Sequence, residues 1–222
     1  MTFEPEKTKL RLDGRWHLEE LSDVTKDYIQ MYGFIYSLLP NLPAARREEV
    51  DYIYGKFPWR GGYSTVNFFN QLFHKIPTKL RPEIQRIRYA SPGFIELQEL
   101  LVVAVGIAAI VKAVCSSINM AHETYRNIQK GCAERKLTKI DISNKELELT
   151  QCQLAFCETQ SEKLQNIFKL SAEQIAALDL KTQSNPAMKL KILLSVYRRV
   201  EPLAKQQANG KLKVTAEKSD ET

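Results

Sequence analysis

Between Leu100 and Cys132, apolar or small residues recur in steps of four and three: Leu100, Ala104, Ile107, Val111, Val114, Ile118, Ala121, Tyr125, Ile128 and Cys132. Residues so spaced form one stripe along an α-helix, and a stripe held over several heptads needs a partner of comparable length. The pattern predicts one helix from about Gln98 to about Arg135, roughly 55 Å long at 1.5 Å per residue. Its first third, LLVVAVGIAAIV, is apolar on every side, which demands full burial. Three settings satisfy that demand: a core helix, an oligomer seam, or a lipid phase. As an interface, the seam would be carried by Leu100, Ile107, Val111, Val114, Ile118, Tyr125 and Ile128.

The bilayer reading meets two opposing counts. A window over Glu99 to Ser117 is apolar enough on average for a transmembrane helix. The uninterrupted run Leu100–Val111 nevertheless falls short of the roughly 20 residues a span requires, and Lys112 follows it directly. Basic residues flank both sides, so no orientation is indicated. Protein burial is the simpler expectation, with a single apolar helix near 99–117 as the membrane alternative.

Around this segment the chain reads as a mainly helical α+β protein. Lys9–Leu12 forms a short strand, and Asp13-Gly14 predicts a small hairpin with Arg15–His17. Leu18 to Leu39 carries a helical stripe that Pro40 stops. Asn41 and Pro43 open a second helix with Val50, Ile53 and Tyr54 inward; Ser64 caps a third with Val66, Phe69, Leu72, Phe73 and Ile76 inward. Ile84–Tyr89 and Phe94–Leu97 read as strands about Ser91-Pro92-Gly93, a type II turn within a wider loop, and join Lys9–Leu12 in a small antiparallel sheet. Leu137–Ile142 is a short connection. Ser143 with Glu146 caps a helix to about Leu170 that folds back on the distal half of the central helix. Ser171 with Gln174 starts a short helix; Asn185-Pro186 starts a last one that Pro202 kinks or ends. Lys211–Val214 suggests a final strand. The expected organisation is a helical unit with a small sheet over 1–97, a long helical hairpin over 98–170, a C-terminal helical segment over 171–214 and a disordered tail over 215–222.

The segments YSTVNFFNQLFHKIP and RPEIQRIRYASPGFIEL, within Tyr63–Leu97, resemble a group of uncharacterised bacterial proteins. The resemblance covers about a sixth of the chain, implies a bacterial source and carries no functional residue.

Of 222 residues, 44% are hydrophobic and 26% charged, which permits a sizeable core and excludes disorder except at the ends. The net charge of +6 comes from 32 basic and 26 acidic residues that are interspersed, so no basic block stands out. Cys115, Cys132, Cys152 and Cys157 lie in helical patterns and read as reduced core thiols. The opening MTFEPEKTKLRLDG lacks the layout of a secretory signal, which predicts a cytoplasmic chain, membrane-associated only under the alternative above.

Chemistry is sparse. His17, His74 and His122 lack the neighbours that metal or nucleophile motifs need, and no catalytic residue, metal ligand or cofactor is assigned. Arg60, Gly61, Gly62 and Ser64 form the candidate anion site, because glycine amides at a helix start beside a cation can hold one. A plain loop that needs glycine to turn is the simpler reading. Arg86 and Arg88 share a strand face, for which solvation is the simpler reading and phosphate or partner binding the alternative. Glu96 and Glu99 suit a helix start. The expected function is non-catalytic: an interaction or assembly protein, with a protein partner or a second copy on the seam. Membrane association is the alternative, and a nucleic-acid or phosphate-binding module comes third. An enzyme comes last, and no small-molecule substrate is indicated.

Overall fold

The computed structural model describes residues 4–56, 61–137 and 149–215, with side chains omitted at 56 and 61–64. It is mainly helical, with one small antiparallel sheet. Strand β1 (Glu6–Leu12) precedes helices α1 (Leu18–Ser37), α2 (Ala44–Lys56) and α3 (Gly61–His74). A single 3-10 turn leads to β2 (Glu83–Arg88) and β3 (Gly93–Glu99). Then follow α4 (Leu101–Ser116), α5 (Ile118–Glu134), α6 (Gln151–Phe168), α7 (Ala172–Lys181), α8 (Pro186–Ala208) and β4 (Leu212–Thr215). The sheet order is β2-β3-β1-β4, every pairing antiparallel.

The single long helix expected over the seam is two. α4 and α5 meet at a bend of 90°. Ser116 and Ser117 make the break local: their hydroxyls donate back to the carbonyls of Lys112 and Ala113, and Ser117 takes a non-helical backbone with φ −133°. The start also differs, since Gln98 and Glu99 belong to β3. The seam stays inside through the bend, with Leu100, Ile107, Val111, Val114 and Ile128 at most 2% exposed and Tyr125 9% exposed. Ile118, just past the bend, is half-buried and packed against the core. Its partners are elements of the same chain: α4 lies against α1, α6, α8, β1 and β4. Among the described residues no single helix is long and apolar enough to cross a membrane; the bent α4/α5 pair meets the length and composition test only together.

Other local expectations fare unevenly. The turn after β1 feeds α1 directly, so no hairpin forms with Arg15–His17; β1 finds its partners in β3 and β4 instead. Gly93 begins β3 without the positive φ that the third residue of a type II turn requires, so the loop between β2 and β3 is not of that type. α6 begins at a box formed by Thr150 and Gln153 and lies chiefly along α8 and α4 rather than back along α5. Ser143, Glu146 and the connection over 138–142 lie outside the described residues, as does the tail from 216. The boxes at Ser171 and the cap at Asn185 form as expected. α8 does not end at Pro202 but continues to Ala208. Leu203 and Ala204 are fully buried just beyond it, and that packing outweighs the roughly 3 kcal/mol an interior proline costs.

The expected segments, 1–97, 98–170 and 171–214, share one core. Residues from all three of them contribute to one hydrophobic cluster, and β1 and β4 are neighbouring strands from opposite ends of the chain. α1 crosses α3 so closely that a Cβ on Gly33 would come within 2.7 Å of the Phe73 amide nitrogen, which is why the position carries none.

Two buried polar clusters tie this core together. Glu99, fully enclosed, accepts from the Thr8 hydroxyl and from Tyr28 Oη at 2.8 and 2.9 Å. Burial pushes its carboxyl up to about 7 against the hydroxyls that favour the charge. Arg199 stacks 3.8 Å from the centre of the Phe69 ring and donates to Gln30 Oε1 at 2.6 Å and to the Ser195 carbonyl at 2.7 Å. Gln30 in turn donates to Asn70. These contacts join α1, α3 and α8, so the charge is solvated by protein.

Candidate functional site

The two faces of the sheet have opposite chemistry. On β1, Thr8, Leu10 and Leu12 are buried while Lys7, Lys9 and Arg11 alternate outward. On β3, Ile95, Leu97 and Glu99 point in, and Phe94, Glu96 and Gln98 point out. β4 follows suit, placing Lys213 opposite Arg11. On β2 the register sets Arg86 opposite Glu96 and Arg88 opposite Phe94, with an irregularity between Ile84 and Arg86 that returns both arginines to the outer side.

The outer face therefore gathers Lys7, Lys9, Arg11, Arg86, Arg88 and Lys213 from three strands, against Glu83 and Glu96. That is an excess of four positive charges in a chain whose net charge is +6. Phe94 sits among them, with the Lys9 ammonium 5.2 Å and the Arg86 guanidinium 6.0 Å from its ring centre. Lys9 reaches Glu96 at 3.8 Å, a loose pair. Lys7, Arg88 and Lys213 have no ion pair among the described residues. On the opposite side of β2, Ile84 and Ile87 are more than half exposed, because the helical layer stops short of this edge strand. The irregularity and the two arginines are devices that discourage another strand from adding there.

Away from the sheet, a concavity of about 530 Å³ opens between α5 and α8. His122, Arg126 and Lys130 line it from α5, Glu201 and Lys205 from α8. Glu201 Oε1 holds His122 Nδ1 at 2.9 Å and Lys205 Nζ at 3.0 Å. Burial raises the Glu201 carboxyl, but the hydrogen bonds from Lys205 and His122 outweigh it and leave the carboxyl below its ordinary value.

The other sequence candidates lie elsewhere. Arg60 is outside the described residues, and Gly61 and Gly62 form the first turn of α3 rather than a loop before Ser64; the side chain of Ser64 is not described. The helix starts four residues earlier than a capping Ser64 implied, since a cap there would make Thr65 the first helical residue. Leu100, Ile107, Val111, Val114, Ile118, Tyr125 and Ile128 pack into the chain's own core. His17 precedes α1, where its amide donates to Glu20; His74 ends α3. Cys132 and Cys157 are buried thiols pushed up by that burial, Cys157 to about 11. Among the described residues no group of three or more His, Cys, Asp or Glu side chains could hold a metal ion.

Comparison with known protein families, with curated proteins and with solved structures finds no match to this chain.

Proposed function

We propose that this is a non-catalytic binding protein whose outer sheet face takes single-stranded nucleic acid. One observation carries the reading: six cations share the solvent side of the sheet with Phe94, two of them within 6.0 Å of its ring centre, while β1, β3 and β4 bury their other side in the core. Phosphates follow a basic surface regardless of sequence, and an aromatic ring in its midst gives a base something to stack on. Cations spread over three neighbouring strands suit an extended strand better than a compact substrate. An assembly role through the heptad seam has less support, because those side chains are packed against the same chain. Its membrane alternative rests only on the bent helix pair.

Fluorescence anisotropy with a labelled oligothymidylate tests the reading. Arg86→Glu with Arg88→Glu is expected to weaken binding at least tenfold while leaving the melting temperature unchanged, since both side chains are exposed. Equal affinity of variant and parent would remove the proposal.

A further inference from the structure

The geometry points to a second anion site, independent of the sheet, in which the groove between α5 and α8 holds a short linear oligophosphate. His122, Arg126 and Lys130 follow one another at four-residue intervals, so they stand on one face of α5 in steps of about 6 Å, about 12 Å from first to last. That row matches an extended chain of phosphoryl groups and exceeds what a single phosphate could use. Arg126 and Lys130 have no hydrogen bond or ion pair among the described residues. The groove's volume falls in the range of small-ligand sites.

Glu201 organises one end. Its carboxylate engages both His122 Nδ1 and Lys205, so its charge is already balanced and the imidazole is left with Nε2 as its free polar atom. Glu123 is the remaining carboxylate in the lining and opposes any anion. A ligand must therefore carry several negative charges to gain from the row. The same chemistry has two sources, a free oligophosphate or the phosphodiester backbone of a bound strand.

Calorimetric titration with sodium tripolyphosphate, using the full chain, tests the site. Saturable one-to-one binding is expected. Arg126→Gln with Lys130→Gln should weaken it at least tenfold, and Glu123→Gln should tighten it severalfold. Arg86→Glu with Arg88→Glu on the sheet should leave it unchanged, which separates this site from the sheet reading. No saturable binding, equal binding by the α5 double variant, or loss on changing the sheet arginines would each overturn the proposal. If the α5 double variant loses oligothymidylate while the parent chain ignores tripolyphosphate, the groove serves the polymer backbone and the small-ligand site is refuted.

Discussion

Alternate residues of the same strands face two different solvents. On β3, Ile95, Leu97 and Glu99 meet the helices, whereas Phe94 and Glu96 meet water between rows of lysine and arginine. The inner set can be exchanged only at a cost in packing or desolvation, so it governs stability. The outer set touches little of the chain and is free to be selected for a ligand. A one-residue slip in register would swap the two sets, and the buried leucines of β1 and β3 prevent it.

The largest effect is expected on the inner side. Leu97→Ala is expected to destabilise the fold by about 2–5 kcal/mol, because Leu97 is 5% exposed and its removal leaves a cavity. Oligonucleotide affinity of the fraction that remains folded should be unchanged. Chemical denaturation, with binding measured well below the transition, checks both halves.

Glu99→Gln sharpens the inner side through pH. The Glu99 carboxyl is raised from 4.5 to about 7 in the folded chain, so the folded state holds its proton more tightly than the unfolded state. Its contribution is full below about pH 4.5 and is lost as pH rises through about 7, a difference of about 3 kcal/mol. Asp27, also raised by burial to about 7, adds a slope of the same sign. The glutamine variant should lose less stability than its parent between pH 4.5 and 8. Parallel stability curves for the two would contradict the buried-carboxyl account.

Phe94→Ala acts on the outer side alone. Loss of a stacking platform should weaken oligothymidylate binding by about 1–3 kcal/mol. Thermal stability should change by less than about 1 kcal/mol, a difference that a melting curve resolves. Similar losses in both would make Phe94 a packing residue.

Periodicity made the core legible well before its geometry. Val50, Ile53 and Tyr54, and the apolar row of α8 from Leu190 to Val200, are buried as their spacing indicated. The heptad seam is inward too, yet its length misleads: a register continuing through Ser116-Ser117 cannot reveal that Ser117 leaves the helical backbone and that the two helices meet at a right angle. Only one part of the outer face was visible, the pairing of Arg86 with Arg88 on one side of a strand. Lys7, Lys9, Arg11 and Lys213 join them through strand pairings that span most of the chain, and scattered charges give no sign of which strands become neighbours. The same holds for His122 and Glu201, 79 residues apart and on different helices.

The salt dependence of oligothymidylate binding reports how many phosphates the outer face of the sheet engages. If the six outer cations neutralise phosphates, the logarithm of the association constant should fall linearly with the logarithm of salt concentration, with a slope approaching about −4. Replacing Arg86 and Arg88 together by alanine should reduce the magnitude of that slope by about 1.4. A slope that the double replacement leaves unchanged, or binding indifferent to salt, would contradict the assignment of the sheet's outer face as the nucleic-acid surface.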